Sequence, residues 1–567
     1  VSIIEYENFN LNRDIQTDKS ISNSIFVTHT EAFAQEVENL TIDYEMIRLS
    51  TTRTLMLFTA LTKANVEAIL QLDSVLIIEN VVRVASLSTI TRGTENGITA
   101  QEEIGVNFFK NNPNVQLTGQ GTVIAVIDTG IDYLHEDFIY PDGTSKILYL
   151  WDQSKEGNPP EGFFIGTEYT REDINKAIQE KDGTLSIDEE GQGTMISGIC
   201  AGLGNINREY EGIAPGAELI VVKIGKINGY YNSAMLFTAL QYVYKKSDEL
   251  NLPTVVHVSM GSTGLAGYAS RVNSRDTYFS NGICIVTGAG NEGNTQTHVS
   301  GILTRQGETT DIGIQIEEEE KSLMIEVWLS RPDRVNLLII SPSGEESKIV
   351  DLSNYDLVSG IFDLEATGYS IRYSYPTSYS GQEHTTIYLT NAKRGIWRLR
   401  LEGAYITGGQ YNVYLENRVF LNEGTKFNES NPNFTITYPS VQDDVITIGT
   451  YNSITRSLWP SSSRGPNMEN RQKPDVVAPG VNIIGPHLNN SYATITGSSA
   501  AAAHASGAIA LFFEYIIGQN RYPNKGFMQM IRTFMQGGAV SIGDAIYPNN
   551  ITGYGLLNFK GMFDQLK

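Results

Sequence analysis

Cysteine is nearly absent from this chain: Cys200 and Cys284 are the only two among 567 residues. Two thiols cannot build a disulfide framework, and neither stands in a spacing that holds a metal ion. Basic residues are scarce as well. Lys and Arg number 41 against 64 Asp and Glu, a net charge of −23, which is the wrong sign for neutralising phosphates or holding an anionic bilayer. Nucleic acid is therefore not an expected partner. A long uncharged apolar run is missing too. The most apolar stretch, Ala500–Ile517, contains His504 and Glu514 and reads as a buried helix rather than a membrane span. Val1–Asn10 has two Glu residues and no basic-then-apolar pattern, so no secretory signal is expected there. What is present, 41% hydrophobic residues, 53 Gly and 29 Tyr with 19% charged residues, is the composition of a folded, turn-rich globular protein. At about 150 residues per domain the length suggests three to four domains, or fewer with one large one.

The patterning predicts three regions. Residues 22 to about 90 read as a small α+β unit, with an apolar run at Ser24–Val27, a helix around Glu31–Leu40, and a strand at Arg53–Ala60. A second helix at Thr62–Leu72 and a β-branched stretch at Val75–Val84 complete it. The polar, Gly-containing segment Ser86–Thr99 looks like a linker. From Gly121 the pattern changes to strands followed by helices. Val123–Ile127, Glu218–Ile224, Val255–Ser259, Gly282–Thr287 and Val445–Ile448 are short apolar runs expected to be buried on both faces, and Ser233–Lys246 is expected to be helical. This is the signature of an α/β domain with a parallel sheet. Between them, period-2 runs at Ser322–Trp328, Val335–Ile340, Thr385–Thr390 and Ile396–Leu401 predict an inserted all-β sandwich. The expected division is 1–95, then 96–295 with 432–567, and 296–431 for the insertion.

Three segments could carry chemistry. Gly121-Thr-Val-Ile-Ala-Val-Ile-Asp128-Thr-Gly130 places a carboxylate at the C-terminal end of a buried strand, where sheets of this class hold their sites. Thr496-Gly-Ser498-Ser499-Ala-Ala-Ala-Ala-His504 puts Ser499 behind a Gly turn at the start of an apolar helix. Backbone N–H groups and the helix dipole favour a developing oxyanion there, and a plain N-cap serine is the alternative. Val286-Thr-Gly-Ala-Gly-Asn291-Glu-Gly293 ends a strand in small residues and an amide, either a donor aimed at that oxyanion or a loop turn.

In this order the segments resemble the subtilisin-like serine protease family. Ala214-Pro-Gly216, Ser259-Met-Gly261, Ser462-Ser-Arg-Gly465-Pro466 and Lys473-Pro-Asp-Val-Val-Ala-Pro-Gly480 support the likeness, which covers about residues 100 to 295 and 432 to 567. The resemblance implies Asp128 as the triad acid, Ser499 as the nucleophile and Asn291 as the oxyanion donor. It further implies Ser259, Met260 and Gly261 as the edge that pairs with substrate backbone. The N-terminal unit resembles the family's inhibitory prodomain, expected to stay in the cleft through its linker. Ile147-Leu-Tyr-Leu-Trp151-Asp-Gln153, Tyr169-Thr-Arg-Glu-Asp-Ile-Asn175 and the inserted, jelly-roll-like β domain are similar to the clostridial Csp proteases of spores. Those proteases act in germination by cleaving the zymogen of a cortex hydrolase. The likeness implies a bacterial spore location, with other Csp proteins or germination signalling proteins as partners.

One position departs from that family. Its histidine motif is Gly-His-Gly-Thr opening a helix, and this chain has Gly191-Gln192-Gly193-Thr194. The chemistry needs a base that takes the serine proton and returns it to the leaving amine. A carboxamide can hydrogen-bond to the hydroxyl but performs neither transfer at neutral pH. None of the seven histidines is expected to substitute, His257 and His504 reading as buried structural residues. The implied function is a pseudoprotease of the Csp type that regulates an active partner. The alternative is an active serine endopeptidase in which Gln192 is an inactivating substitution. Opposite Asp128, Gln192 is expected to donate through its NH₂ and turn its carbonyl oxygen toward the Ser499 hydroxyl. Smaller departures, Ser498, Ala500 and Ala503, remove no catalytic group. No cofactor and no metal site are expected: Asp137 lies in a loop that contributes to calcium binding in some relatives, but one carboxylate is no site.

Overall fold

The computed structural model describes residues 24–58, 61–91, 97–226, 229–263, 282–351, 358–377, 380–519, 528–543 and 545–566. Val1–Asn10 and the middle of the 86–99 segment lie outside them. The chain divides into two compact units, one of residues 1–85, 262–271 and 292–438, the other of residues 86–261, 272–291 and 439–567.

In the first unit, strands Ser24–His29, Tyr44–Arg48, Arg53–Phe58 and Val75–Asn80 form an antiparallel sheet in which Ser24–His29 lies between Arg53–Phe58 and Val75–Asn80. Helices Phe33–Val37 and Lys63–Leu70 close a small core of Ile25, Val27, Phe33, Met56, Val66, Ile69 and Ile78. The first helix is shorter than the pattern predicts. The pattern does not mark Tyr44–Arg48 as a strand: it sits at the sheet edge with Tyr44 and Met46 only half-buried against the core, and Ile47, buried out of phase with them, breaks the two-residue alternation. Residues 298–427 form a six-stranded and a four-stranded sheet around a common apolar core. All four period-2 runs fall in their strands. Trp397, Leu399 and Leu401 face that core while Arg398 and Arg400 face out.

The second unit is built on a nine-stranded, mostly parallel sheet. Its order runs Ser457–Leu458, Ile446–Asn452, Ile283–Gly288, Thr254–Val258, Val123–Asp128, Glu218–Lys223, Ile147–Asp152, Thr167–Thr170, with Val476–Pro479 paired to Ile446–Asn452. The strand Val123–Asp128 has parallel partners on both sides, and every one of its residues is buried. A continuous apolar run, Val123 to Ile127, rather than alternation is what burial on two faces requires. Helix Arg171–Glu180 opens on a reciprocal capping box between Thr170 and Asp173. Helices Gln192–Ala201 and Ser498–Phe513 are buried along their whole length, and both belong to the core that includes Val126, Val286 and Ile446. The segment Ser498–Gly518 is, among the described residues, the one helix long and apolar enough to cross a membrane, and 89% of its most apolar 18 residues is buried, as expected for a core helix.

Candidate functional site

The parallel sheet delivers Asp128 to the end of its central region, and the turn that follows ties it to a helix. Thr129, next to Asp128, accepts the Gly193 N–H at its Oγ1 (2.9 Å) and donates the same hydroxyl to Asp188 (2.7 Å). Asp188, buried, also accepts from Gly191 N–H (2.8 Å), Thr194 N–H (3.0 Å) and the Thr194 hydroxyl (2.7 Å). Three donors at the helix start, together with the Thr129 hydroxyl, are thereby satisfied by one carboxylate. Gly193 is required by the close approach: a Cβ there would lie 2.1 Å from the Gly130 carbonyl oxygen. These contacts set Gln192, the first residue of its helix, against Asp128, with Gln192 Nε2 donating to Asp128 Oδ1 at 2.9 Å. Burial pushes the Asp128 carboxyl up to about 7, against the opposing pull of the Ser259 hydroxyl and the Thr129 amide.

Ser499 stands one residue into the second buried helix. Three N–H groups at this helix start find partners outside the helix. Ser498 N–H donates to Asn291 Oδ1 (3.1 Å), Ser499 N–H to the Leu87 carbonyl (3.2 Å) and Ala500 N–H to the Ser88 hydroxyl (3.2 Å). Asn291 is thus anchored through its oxygen, which leaves its NH₂ as the free end of the amide. The Ser499 hydroxyl donates to the Ser259 carbonyl at 3.2 Å.

The segment after residue 85 runs through this arrangement. A two-residue strand, Met260–Gly261, pairs with the strand that ends at Ser86. Leu87 N–H donates to the Ser259 carbonyl at 2.9 Å, its own carbonyl meets Ser499 N–H, and its side chain is 1% exposed. Ser88–Thr91 then pairs antiparallel with Ser491–Gly497, Ser88 opposite Gly497. The Leu87–Ser88 peptide crosses so close that a Cβ on Gly497, whose φ is +152°, would lie 2.4 Å from the Leu87 oxygen. An extended chain added to two strand edges across a helix N-terminus is the geometry of a bound peptide.

The structure therefore brings together Asp128, Gln192, Ser259, Met260, Gly261, Asn291 and Ser499. It differs from expectation at one atom. The Gln192 carbonyl oxygen does not face Ser499; it accepts from the Ser86 hydroxyl, while Ser499 Oγ is turned to Ser259. The chain itself supplies a donor closer to Gln192 than the serine. Ser86, Leu87 and Ser88 were not singled out in the sequence, where they look like ordinary linker residues, and only their hydroxyls on either side of a leucine hint at a role. Asp188 was also missed, although an acidic residue four positions before a Gly-rich helix start is a readable cap.

No histidine nitrogen hydrogen-bonds to Ser499 among the described residues. His257 is buried, with ring nitrogens on the Ser506 (3.0 Å) and Ser259 (3.1 Å) hydroxyls, and burial depresses it to about 3. His504 contacts the Ala500 carbonyl of its own helix and is depressed to about 4, again by burial. The Asp137 carboxylate is occupied by Ile206 N–H and the Tyr492 hydroxyl. Among the described residues no group of three or more His, Cys, Asp or Glu side chains is placed to hold a metal ion.

The sequence matches the model of the subtilase family over residues 119–393 and 421–552. It is 24% identical over 441 residues to a C5a peptidase of Streptococcus pyogenes serotype M6, covering 72% of this chain and 35% of that protein. It is 26% identical over 191 residues to a subtilisin of Bacillus sp. (strain TA39), covering 33% and 39%. The chain spans little more than a third of the length of these curated relatives. Among solved structures, the Clostridium perfringens CspB protease superposes with a TM-score of 0.74 at 29% identity, over 82% of this chain and 97% of that one. Fervidolysin from Fervidobacterium pennivorans, 14% identical, shares the fold with a TM-score of 0.51 over 97% of this chain and 62% of its own.

Proposed function

Since the chain belongs to the subtilase family, we propose that it is a subtilisin-fold pseudoprotease of the Csp type, which regulates bacterial spore germination through an active protease partner or a germinant signal. Asp128, Gln192 and Ser499 stand in the places of the acid, the base and the nucleophile, and Asn291 with Ser499 N–H in the place of the oxyanion donors. The observation that carries the reading is the bonding of Gln192. Its NH₂ is committed to Asp128 and its carbonyl to the Ser86 hydroxyl, and the Ser499 hydroxyl bonds to the Ser259 carbonyl, so among the described residues no base is hydrogen-bonded to Ser499 to take its proton. An unassisted serine hydroxyl is a poor nucleophile. Absence of the base alone costs on the order of 10⁶ in kcat in subtilisin variants, roughly 8 kcal/mol of barrier. Residues 1–95 play the part of a prodomain whose linker remains in the cleft, because maturation by self-cleavage needs the same base. The likeness to the CspB protease supports the assignment to the Csp group, and through it the spore location and the Csp-type or signalling partners.

The test is direct. Purified full chain is expected to turn over no peptide substrate and to show little labelling of Ser499 by a fluorophosphonate. Robust hydrolysis that disappears in Ser499→Ala refutes the proposal.

A further inference from the structure

We propose that Gln192 is the specificity-determining residue of a peptide-binding cleft, its carbonyl reading a side-chain hydroxyl on the residue that precedes the one seated at Ser499 N–H. The ligand class is an extended peptide with Ser or Thr at that position, and Ser86-Leu87-Ser88 is the resident example. This rests on the non-catalytic reading of the site given above.

Asp128 Oδ1 accepts from Thr129 N–H at 2.7 Å as well as from Gln192 Nε2 at 2.9 Å. It is an acceptor in both, so the Gln192 NH₂ must face it and the carbonyl oxygen must face the cleft. Gln192 is 4% exposed, which leaves little room for water to satisfy that oxygen. A buried carbonyl accepts only from donors, and its partner here is the Ser86 hydroxyl. An apolar side chain at position 86 would strand the oxygen, and a carboxylate would repel it.

Ser86 is well placed to be read. Its Oγ accepts from Ser88 N–H at 3.3 Å and lies 2.9 Å from the Ser88 carbonyl. The hydroxyl has one proton to give, and given to Gln192 Oε1 it leaves the Oγ lone pairs to accept the Ser88 N–H. The contact therefore couples the side chain at the base position to the backbone that crosses Ser499. The carboxamide has become a reader of bound peptide where a base would act on it.

Hydrogen exchange in the full chain tests this at two amides, Leu87 N–H and Ser499 N–H, which bond to Ser259 and Leu87 respectively. Ser86→Ala is expected to speed exchange at both by about tenfold, equivalent to ~1.4 kcal/mol. Ser86→Thr, which keeps the hydroxyl, should exchange like the parent. In Gln192→Ala the further change Ser86→Ala should add nothing, since the shared contact is already gone. Unchanged exchange in Ser86→Ala, a Thr variant as fast as the Ala variant, or effects that multiply in the double variant would each overturn the proposal. The two Ser86 variants alter no core residue and decide the matter even if Gln192→Ala fails to fold. Turnover of a peptide substrate, measured on the same parent protein, reports separately on the non-catalytic reading.

Discussion

Gln192→His is the most informative perturbation of this site. On the reading proposed above, everything but the base and the orientation of the Ser499 hydroxyl is in position for cleavage of one bond. The Leu87 carbonyl is 3.2 Å from Ser499 N–H, Leu87 N–H is held on Ser259, and Ser88 is paired to Gly497. An imidazole at position 192 would replace the carboxamide at Asp128 and remove the acceptor of the Ser86 hydroxyl. The missing base accounts for about 8 kcal/mol of barrier. Against that gain stands the rotation of the Ser499 hydroxyl away from the Ser259 carbonyl, one neutral hydrogen bond worth about 1 kcal/mol, or roughly fivefold. A net acceleration on the order of 10⁵ is expected. The bond broken should be Leu87–Ser88, giving a fragment that starts at Ser88. Because an ionised Asp128 is needed opposite the imidazolium, cleavage should quicken as pH rises, the carboxyl of the parent lying near 7. Intact mass and N-terminal sequencing over time give the result, with Gln192→His/Ser499→Ala as the uncleaved control. No cleavage in a folded variant would show that the segment is not held in reactive alignment, and cleavage at another bond would show that its register is different.

Three other outcomes follow from the same contacts. The folded Asp128 carboxyl, at about 7 against a usual value of 3.8, keeps a proton that the unfolded chain loses. Its stabilising contribution is present below pH 3.8 and lost as pH rises to 7, by about 4 kcal/mol at most; denaturant midpoints of Asp128→Asn should lack that part of the pH slope. Asp188→Ala strands the Gly191 and Thr194 N–H groups and the Thr129 and Thr194 hydroxyls, and should lower unfolding free energy in urea by about 3–5 kcal/mol. Gly497→Ala places a methyl against the Leu87 oxygen and the Ser88 Cα. It should cost about 2–4 kcal/mol and free the 86–91 segment, read as lost exchange protection at Leu87 and Thr89 while the strand Val123–Asp128 stays protected.

Much of this protein is legible in its sequence because the relevant signals are local. An uninterrupted apolar run from Val123 to Ile127 marks a strand covered on both faces, alternation from Ile396 to Leu401 marks one covered on a single face, and the small residues after Gly497 mark a helix packed on all sides. Thr170 and Asp173 carry a capping box, a local signal of the same kind. Short or partly exposed elements are less legible: Tyr44–Arg48 lies at a sheet edge where Tyr44 and Met46 are only half-buried and Ile47 is buried out of phase with them. The bonding of the site is of another kind. Asp128 and Gln192 are 64 residues apart, Gln192 and Ser86 106, and Ser499 and Ser259 240, and no periodicity relates such pairs. Sequence likeness could nominate Gln192 as the residue at the base position, but not what its carbonyl would face. That was decided by the tertiary structure, because a buried oxygen takes whichever donor the fold brings within reach, and here the fold brings the hydroxyl of the chain's own linker.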